Sequence, residues 1–370
     1  MSAKHIAILL PDLGIGGAER VSLDLSREFV RRGYRVAFVL MRCHGEFLEE
    51  VPEGVNVVDL NAPKLRNVVR PFARYLRERA PDVVLANLWP LTATAALVAK
   101  VSGSKKTRII TIDHATLSIQ YASWGALNWV ALRASIALIY PFAHRRIAVS
   151  HGVAEDVSAL GGRKPDFMDV VFNPIPKPAF DGDAHEAAER AWNGWRGPRV
   201  ITVGTLKAQK NHALLLRSFK ALLQMRDCRL MILGSGELFD AVANLAREMG
   251  LAEKVFLPGA SRFPGPFYES ADLFVLSSDD EGFGNVIVEA MAYGLPVVST
   301  DCKSGPREIL DNGRYGVLTP VGDADALAQA MAQSLNKTHD REALRRRAAD
   351  FSPEIAATNY LRIMFPDISV

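Results

Sequence analysis

The sequence predicts an α/β protein of two Rossmann-like domains in series, on three observations. Apolar runs of strand length alternate with helical patterns along almost the whole chain, which is how parallel sheets with crossover helices read. Between two such series, residues 176–197 (PKPAFDGDAHEAAERAWNGWRG) crowd proline, glycine and charge, as a linker with a short helix in it would. The chain has 370 residues and 49% hydrophobic content, enough for a core in each half. The expected division is a first domain over 1–175, a linker over 176–197, a second domain over 198–350 and a C-terminal helix over 351–370.

The first series holds HIAILL (5–10), RVAFVL (35–40), VNVVDL (55–60), DVVLAN (82–87), RIITID (108–113), RIAVS (146–150) and DVVFN (169–173). The second holds RVITVG (199–204), RLMILG (229–234), KVFLPG (254–259), DLFVLS (272–277), PVVST (296–300) and YGVLTP (315–320). Helical patterns lie between them; from Glu19 to Arg32, Leu23 and Val30 fall with other apolar residues on one face. The last segment, SPEIAATNYLRIMF, is amphipathic at helical spacing, with no strand after it.

Composition narrows the class. A formal net charge of +3 gives no global field for nucleic acid, so any basic surface is local. Cys43, Cys228 and Cys302 are far apart and odd in number, which argues against a disulfide framework or a zinc site and fits a reducing compartment. The first apolar run is too short for a signal peptide, and no run reaches the ~20 residues of a spanning helix. A cytoplasmic protein is expected, peripheral on the inner face of the cytoplasmic membrane.

Two such domains bind ligands in the crevice between them, beyond the carboxyl ends of their strands, so loops after strands carry the chemistry. The most specific signal is SSDDEGFGNVIVEAMAYGLPVVST, residues 277–300. Gly282 and Gly284 let backbone approach a ligand, and a helix from about Val286 points N–H groups at it. Glu281 lies before that helix and Glu289 about one turn inside it, so the two carboxylates reach one ligand at separate heights. Carboxylates accept from sugar and ribose hydroxyls and repel phosphate.

EGFGNVIVEAMAYGLPVV resembles the E-x7-E signature of retaining GT-B glycosyltransferases of family 4, among them bacterial polysaccharide and lipid-linked glycan enzymes. The resemblance runs over nearly the whole chain, through GIGGAER, VGTLKAQKNHALLLRSF, LGSGE, VFLPG, ADLFVLSS and SGPREIL. It implies two domains facing a central cleft, with the C-terminal helix crossing back to the first. Glu281 would contact the donor sugar and Glu289 the nucleotide ribose. Backbone from Gly282 through Phe283, Gly284, Asn285 and Val286 would hold sugar oxygens or the diphosphate.

Other positions follow from the same resemblance. Lys210 matches the family's lysine, whereas the arginine expected directly after Gly204 is Thr205. Lys207 then either replaces that charge or is a solvated loop lysine. Gly234 in LGSGE reads equally as a donor contact or a tight turn, and the base would lie near Ala260 to Arg262. His114 in TIDHATLS, at a strand end, would reach the donor sugar; the plain alternative is a structural histidine. Ser150 in VSHGV reads as a helix cap. Catalytic work is therefore expected of Glu281, His114 and Lys210, with no cofactor and no metal, because lysines and a helix N-terminus can take the leaving-group charge. Retention is implied, and no residue stands out as a covalent nucleophile, which favours front-face substitution. UDP is the expected nucleotide, with GDP-mannose open.

The opening loop PDLGIGGAER nearly matches a dinucleotide fingerprint, but Glu19 stands at the third glycine and the second strand ends at Arg42 rather than an acid. Gly16 and Gly17 would instead border the donor diphosphate or the acceptor. A non-catalytic nucleotide-sugar-binding protein and a same-fold epimerase are the alternative functions. Two segments suit an acceptor, a glycan or a polyprenyl-diphosphate-linked glycan, at a membrane surface. KLRNVVRPFARYLRER (64–79) sets Leu65, Val68, Val69, Phe72 and Leu76 on one face and Arg66, Arg70, Arg74 and Arg77 on another. SIQYASWGALNWVALRASIALIYPFAHRR (118–146) gathers Tyr121, Trp124, Trp129, Tyr140 and Phe142 beside a basic end. An ordinary crossover helix is the alternative for each.

Overall fold

The computed structural model describes residues 3–104, 106–177 and 182–367. The chain divides into two compact units, residues 1–176 with 351–370, and residues 177–350. Of the segment read as a linker, residues 178–181 lie outside the described residues, as do 368–370 of the C-terminal segment and 1–2 and 105 of the first domain.

In the first unit, β1 (His5–Leu10), β2 (Arg35–Leu40), β3 (Asn56–Asp59), β4 (Val83–Asn87), β5 (Arg108–Asp113), β6 (Arg145–Ala148) and β7 (Asp169–Val170) form a parallel sheet in the order β3-β2-β1-β4-β5-β6-β7. Helices α1 (Gly17–Arg31), α2 (Leu65–Arg79), α3 (Leu91–Val101), α4 (Ala126–Leu138) and α5 (His151–Leu160) connect the strands. A sheet covered on both faces needs strands that are apolar throughout, and Ile6 to Leu10 are buried without interruption. One core joins Ala7, Leu9, Val39 and Val84 of the sheet to Val68 and Phe72 of α2 and to Ala95 and Ala96 of α3. Ser150 caps α5, its hydroxyl accepting from Val153 N at 3.2 Å.

The C-terminal helix, Pro353–Met364, belongs to this unit and packs on α1. Arg32 donates to Thr358 Oγ1 at 2.9 Å and to the Glu354 carbonyl at 2.7 Å, and Tyr34 stacks on Phe365 at 5.6 Å.

The second unit contains α6 (Gly182–Ala191), β8 (Arg199–Val203), α7 (His212–Leu222), β9 (Arg229–Leu233), α8 (Phe239–Glu248), β10 (Val255–Gly259), β11 (Leu273–Leu276), α9 (Asn285–Ala292), β12 (Val297–Thr300), β13 (Val317–Thr319), α10 (Ala324–Asn336) and α11 (Arg341–Ala349). Its parallel sheet runs β10-β9-β8-β11-β12-β13. In both sheets the strand order reverses once, between β1 and β4 and between β8 and β11. Loops after those strands diverge to opposite faces and leave a crevice at the carboxyl edge, which is where such sheets bind ligands.

The stretch read as a linker is a packed part of this unit from α6 onward. Trp192 is fully buried, its indole N–H donates to Ser270 Oγ at 2.9 Å, and the Arg199 guanidinium lies 5.4 Å from its ring. Trp192→Ala should therefore lower the unfolding free energy by about 3–5 kcal/mol, the usual cost of deleting a large core aromatic, as measured by urea titration. A change under about 1 kcal/mol would mean that α6 is a tether.

Candidate active site

Since β8 and β11 are neighbours, the loops that follow them, 204–211 and 277–284, run side by side. Lys210 Nζ donates to Glu281 Oε1 at 2.6 Å, with 15% and 7% of the two side chains exposed. Ser278 Oγ donates to the same Oε1 at 2.6 Å, and Ser304 Oγ donates to the Glu281 carbonyl. The Lys210 carbonyl accepts from Ser277 Oγ at 2.8 Å, and Gln209 Nε2 donates to the Asp280 carbonyl at 2.6 Å. Asn211 Nδ2 donates to Asp279 Oδ1 at 2.8 Å, while its Oδ1 caps α7 by accepting from Leu214 N at 3.0 Å. The two loops are thus stitched together along their length, and the ion pair is fixed at both ends. Lys207 is exposed and makes no ion pair among the described residues. Its ammonium pKa is lowered, by desolvation first and by the charge of Lys210 second.

Helix α9 has Gly284 as its N-cap, whose φ of +96° suits glycine. Asn285 and Val286 form its first turn, and Glu289, one turn further in, accepts from Tyr268 OH at 2.8 Å. Gly305, from SGPREIL, is required by close approach: at its φ of +90° a Cβ would stand 1.7 Å from the Phe283 carbonyl oxygen. That contact presses residues 304–306 against the Gly282–Phe283 backbone. At Gly234 a Cβ would meet the Gly204 carbonyl oxygen at 1.9 Å, so glycine is needed there to seat the loop that bears Thr205 and Lys207. Thr205 is exposed; Arg262 is exposed beyond β10, the edge strand two positions from β8.

In the first unit, β4 and β5 pair with Asn87 opposite Ile112, which brings Asn87 to the strand end that carries Asp113 and His114. His114 Nε2 lies 2.9 Å from Asn87 Oδ1, and burial lowers its pKa to about 4. Asp113 is 1% exposed and accepts from Tyr140 OH at 2.9 Å; Thr92 Oγ1 lies 2.8 Å from the same phenol oxygen. Burial raises Asp113 to about 7. At the glycine loop, Gly16 precedes α1 and Gly17 opens it. Glu19 folds back over this turn: a Cβ on Gly16 would lie 2.1 Å from Glu19 Oε2. Burial first, and Asp12 after it, raise the pKa of Glu19.

Two family models match the chain in succession, Glycosyltransferase Family 4 over residues 15–177 and Glycosyl transferases group 1 over residues 189–351. The chain is a family 4-like glycosyltransferase of the GT-B fold. It is 29% identical, over 93% of its length and 94% of the relative's, to N-acetylgalactosamine-N,N'-diacetylbacillosaminyl-diphospho-undecaprenol 4-alpha-N-acetylgalactosaminyltransferase of Campylobacter jejuni. It is 25% identical, over 84% of each chain, to the lipopolysaccharide 1,6-galactosyltransferase of Salmonella typhimurium. Among solved structures, Anabaena Alr3699/HepE in complex with UDP and glucose shares the fold at a TM-score of 0.80, with 19% identity over 98% of this chain and 99% of that one.

The segments read as an acceptor surface of this glycosyltransferase differ in how they fold. Helix α2 runs on through Pro71 and buries Val68, Phe72, Tyr75 and Leu76. Val69, read as part of that apolar face, is 41% exposed, because the buried stripe is narrower than the apolar pattern. Arg66, Arg70, Arg74 and Arg77 are all exposed and make no ion pair among the described residues. Residues 118–146 break into the end of a short helix (Leu117–Gln120), α4 and a turn (Tyr140–Phe142). Trp124 is half exposed and packs edge-on against Tyr121 at 4.4 Å and beside Trp89 at 5.9 Å; Trp129 is half-buried. Tyr140, grouped with the interfacial aromatics by sequence, is instead fully buried. Of α4 only Leu132 and Ile136 are buried, which leaves Leu127, Val130 and Leu138 in solvent. Among the described residues no helix is long and apolar enough to cross a membrane.

Asp113 and His114 pull stability in opposite directions with pH. The raised Asp113 keeps a proton that the unfolded chain loses above pH ~4, so its contribution falls as pH rises from there to about 7. The lowered His114 refuses a proton that the unfolded chain takes up below pH ~6.5, so its contribution is lost as pH falls from there towards 4. In thermal unfolding, Asp113→Asn is expected to gain on the wild type as pH rises from 4 to 7 and then level off. His114→Gln should gain on the wild type as pH falls below ~6.5. Differences that do not vary with pH would contradict both assignments.

Proposed function

We propose that this glycosyltransferase moves a hexosyl or N-acetylhexosaminyl unit from a UDP-sugar to a hydroxyl of a lipid-linked glycan, with retention and without a metal. The observation that carries the reading is the preformed Lys210–Glu281 pair, held between the two switch-point loops beside the N-terminus of α9. Lys210 and Ser278 both occupy Oε1 of Glu281, which leaves Oε2 to accept from a hydroxyl of the donor sugar. The departing diphosphate gathers charge, which Lys210 and the α9 N-terminus stabilise from fixed positions. Lys207 supplies the positive charge that Thr205 lacks: no carboxylate among the described residues holds it, and a diphosphate beside both ammonium groups relieves their repulsion.

Glu289, steadied by Tyr268, receives the ribose hydroxyls, and the backbone near Arg262 receives the base. Glu19 over the Gly16–Gly17 turn favours a hydroxyl there over a phosphate. The UDP assignment draws on the UDP and glucose captured in the Anabaena structure. The acceptor class and retention draw on the Campylobacter relative, whose name gives an α-linked transfer to a diphospho-undecaprenol glycan. UDP-sugars commonly carry an α-linked phosphate, so an α-linked product means retention. The exposed arginines of α2 and the exposed apolar side chains of α4 suit a diphosphate and a headgroup layer respectively, with the protein peripheral on the inner face of the cytoplasmic membrane.

Thermal unfolding with UDP-, GDP- and ADP-sugars should show a rise with the UDP series alone, since a ligand of the folded state stabilises by mass action. With the donor so identified, Glu281→Gln and Lys210→Ala should each cut kcat by about 100-fold or more, and EDTA should leave the wild-type rate unchanged. Full activity in either variant would refute the roles given to that pair. Arg70→Ala with Arg74→Ala should raise KM for a polyprenyl-diphosphate-linked acceptor about tenfold while donor hydrolysis persists. Unchanged acceptor kinetics would remove α2 from the acceptor site.

A further inference from the structure

We propose that Asn87 is a positioning residue that holds His114 as the neutral Nε2–H tautomer, so that Nδ1 is presented as a hydrogen-bond acceptor for a hydroxyl of the substrate. The inference rests on the reading above that His114 touches substrate.

The assignment follows from what each neighbouring atom can do. Asn87 is 1% exposed, and its Nδ2 lies 3.2 Å from both the Leu9 and the Leu85 carbonyl oxygens. Carbonyl oxygens only accept, so the amide nitrogen must face them and both of its N–H groups are spent. Flipping the amide would set oxygen against two carbonyl oxygens. Asn87 Oδ1 is therefore fixed towards His114 Nε2 at 2.9 Å, and an amide oxygen also only accepts, so Nε2 carries the proton. In a neutral imidazole the other nitrogen is then a lone pair.

That nitrogen, Nδ1, is buried and has no hydrogen-bond partner among the described residues. Burial keeps the ring neutral at physiological pH, with its pKa near 4. A buried acceptor without a donor is a cost unless a ligand brings the donor. The chemistry of that ligand is thereby restricted. A sugar or acceptor hydroxyl, or an acetamido N–H, can satisfy Nδ1, whereas a phosphate oxygen cannot. His114 then acts as a neutral acceptor, neither as an acid nor as a cation for the leaving group. Asp113, the neighbouring carboxyl, has its own donor in Tyr140.

The test uses the full chain labelled with 15N-histidine. A long-range 1H–15N spectrum reports which ring nitrogen is protonated, and among the eight histidines His114 is identified as the signal lost in His114→Gln. The wild type should show the Nε2–H pattern at His114, unchanged down to about pH 5. Asn87→Asp keeps an acceptor for Nε2–H and sets its second oxygen against the Leu9 and Leu85 carbonyl oxygens; where that carboxyl ionises, the His114 titration should move up by about two pH units. Its kcat should then fall towards pH 6, where Nδ1 becomes protonated, and recover near pH 8. Asn87→Leu should give mixed tautomers and a kcat about 10- to 100-fold lower, with donor KM little changed. Should that variant fail to fold, the wild-type spectrum still decides. An Nδ1–H tautomer in the wild type overturns the proposal. So does an Asn87→Leu variant that keeps a pure Nε2–H pattern and the wild-type kcat. Transfer at full rate by His114→Gln would instead overturn the reading that His114 touches substrate, while the spectrum still judges the tautomer.

Discussion

The loops at the carboxyl edge of the second unit are organised around one ion pair between residues far apart in sequence. Lys210 and Glu281 meet only because β8 and β11 are adjacent, and their side chains are 15% and 7% exposed. A pair so withdrawn from water returns little net stability, because desolvating two charges offsets most of their attraction. Breaking it is expensive, since the remaining charge would be left nearly buried. The surrounding structure reads as support for this pair: Ser278 and Ser304 hold Glu281, while Ser277 and Gln209 hold the two backbones in step. An arrangement that gains little stability and still engages four neighbouring polar side chains is accounted for by preorganised chemistry.

The first unit's carboxyl edge is built on the opposite principle. Its polar groups are buried and largely neutral, held by short chains of hydrogen bonds such as Thr92–Tyr140–Asp113 and Asn87–His114. Burial pushes Asp113 up and His114 down, and both shifts favour the uncharged form. Groups of this kind fix directions for hydrogen bonds without creating a field.

The alternation of apolar runs was enough to expose both sheets, because strands covered on two faces must be apolar throughout. Each of the thirteen strands overlaps one of the runs read from sequence. The candidate site was partly legible. Glu281, Glu289 and Lys210 stand in loops whose glycines and strand–loop–helix order draw attention to them. Ser278, Ser304, Tyr268 and Asn87 were not legible, since each acts through a neighbour supplied by tertiary pairing. Asn87 looks like the polar end of a strand until the β4–β5 register sets it beside His114. The segment 176–197, read as a linker with a short helix in it, does contain that helix, and its packing through the buried Trp192 was not legible because the indole's partner Ser270 is distant in sequence. Likewise Tyr140 shares its segment with surface aromatics, and its buried hydroxyl is paired with Asp113 and Thr92, both distant in sequence.

On the proposed reaction, these two kinds of construction answer different demands. A leaving diphosphate needs positive charge that is already in place, and a fixed ammonium supplies it without reorganisation. Sugar hydroxyls need acceptors of set direction, and a cation among those acceptors would attract the diphosphate to the wrong position. The surroundings differ accordingly: Lys210 is ion-paired with a carboxylate, whereas His114 is buried against an uncharged amide. A carboxylate in place of the Asn87 amide would stabilise the imidazolium and erase that distinction. The amide at the end of β4 is thus a constraint on charge as well as on geometry.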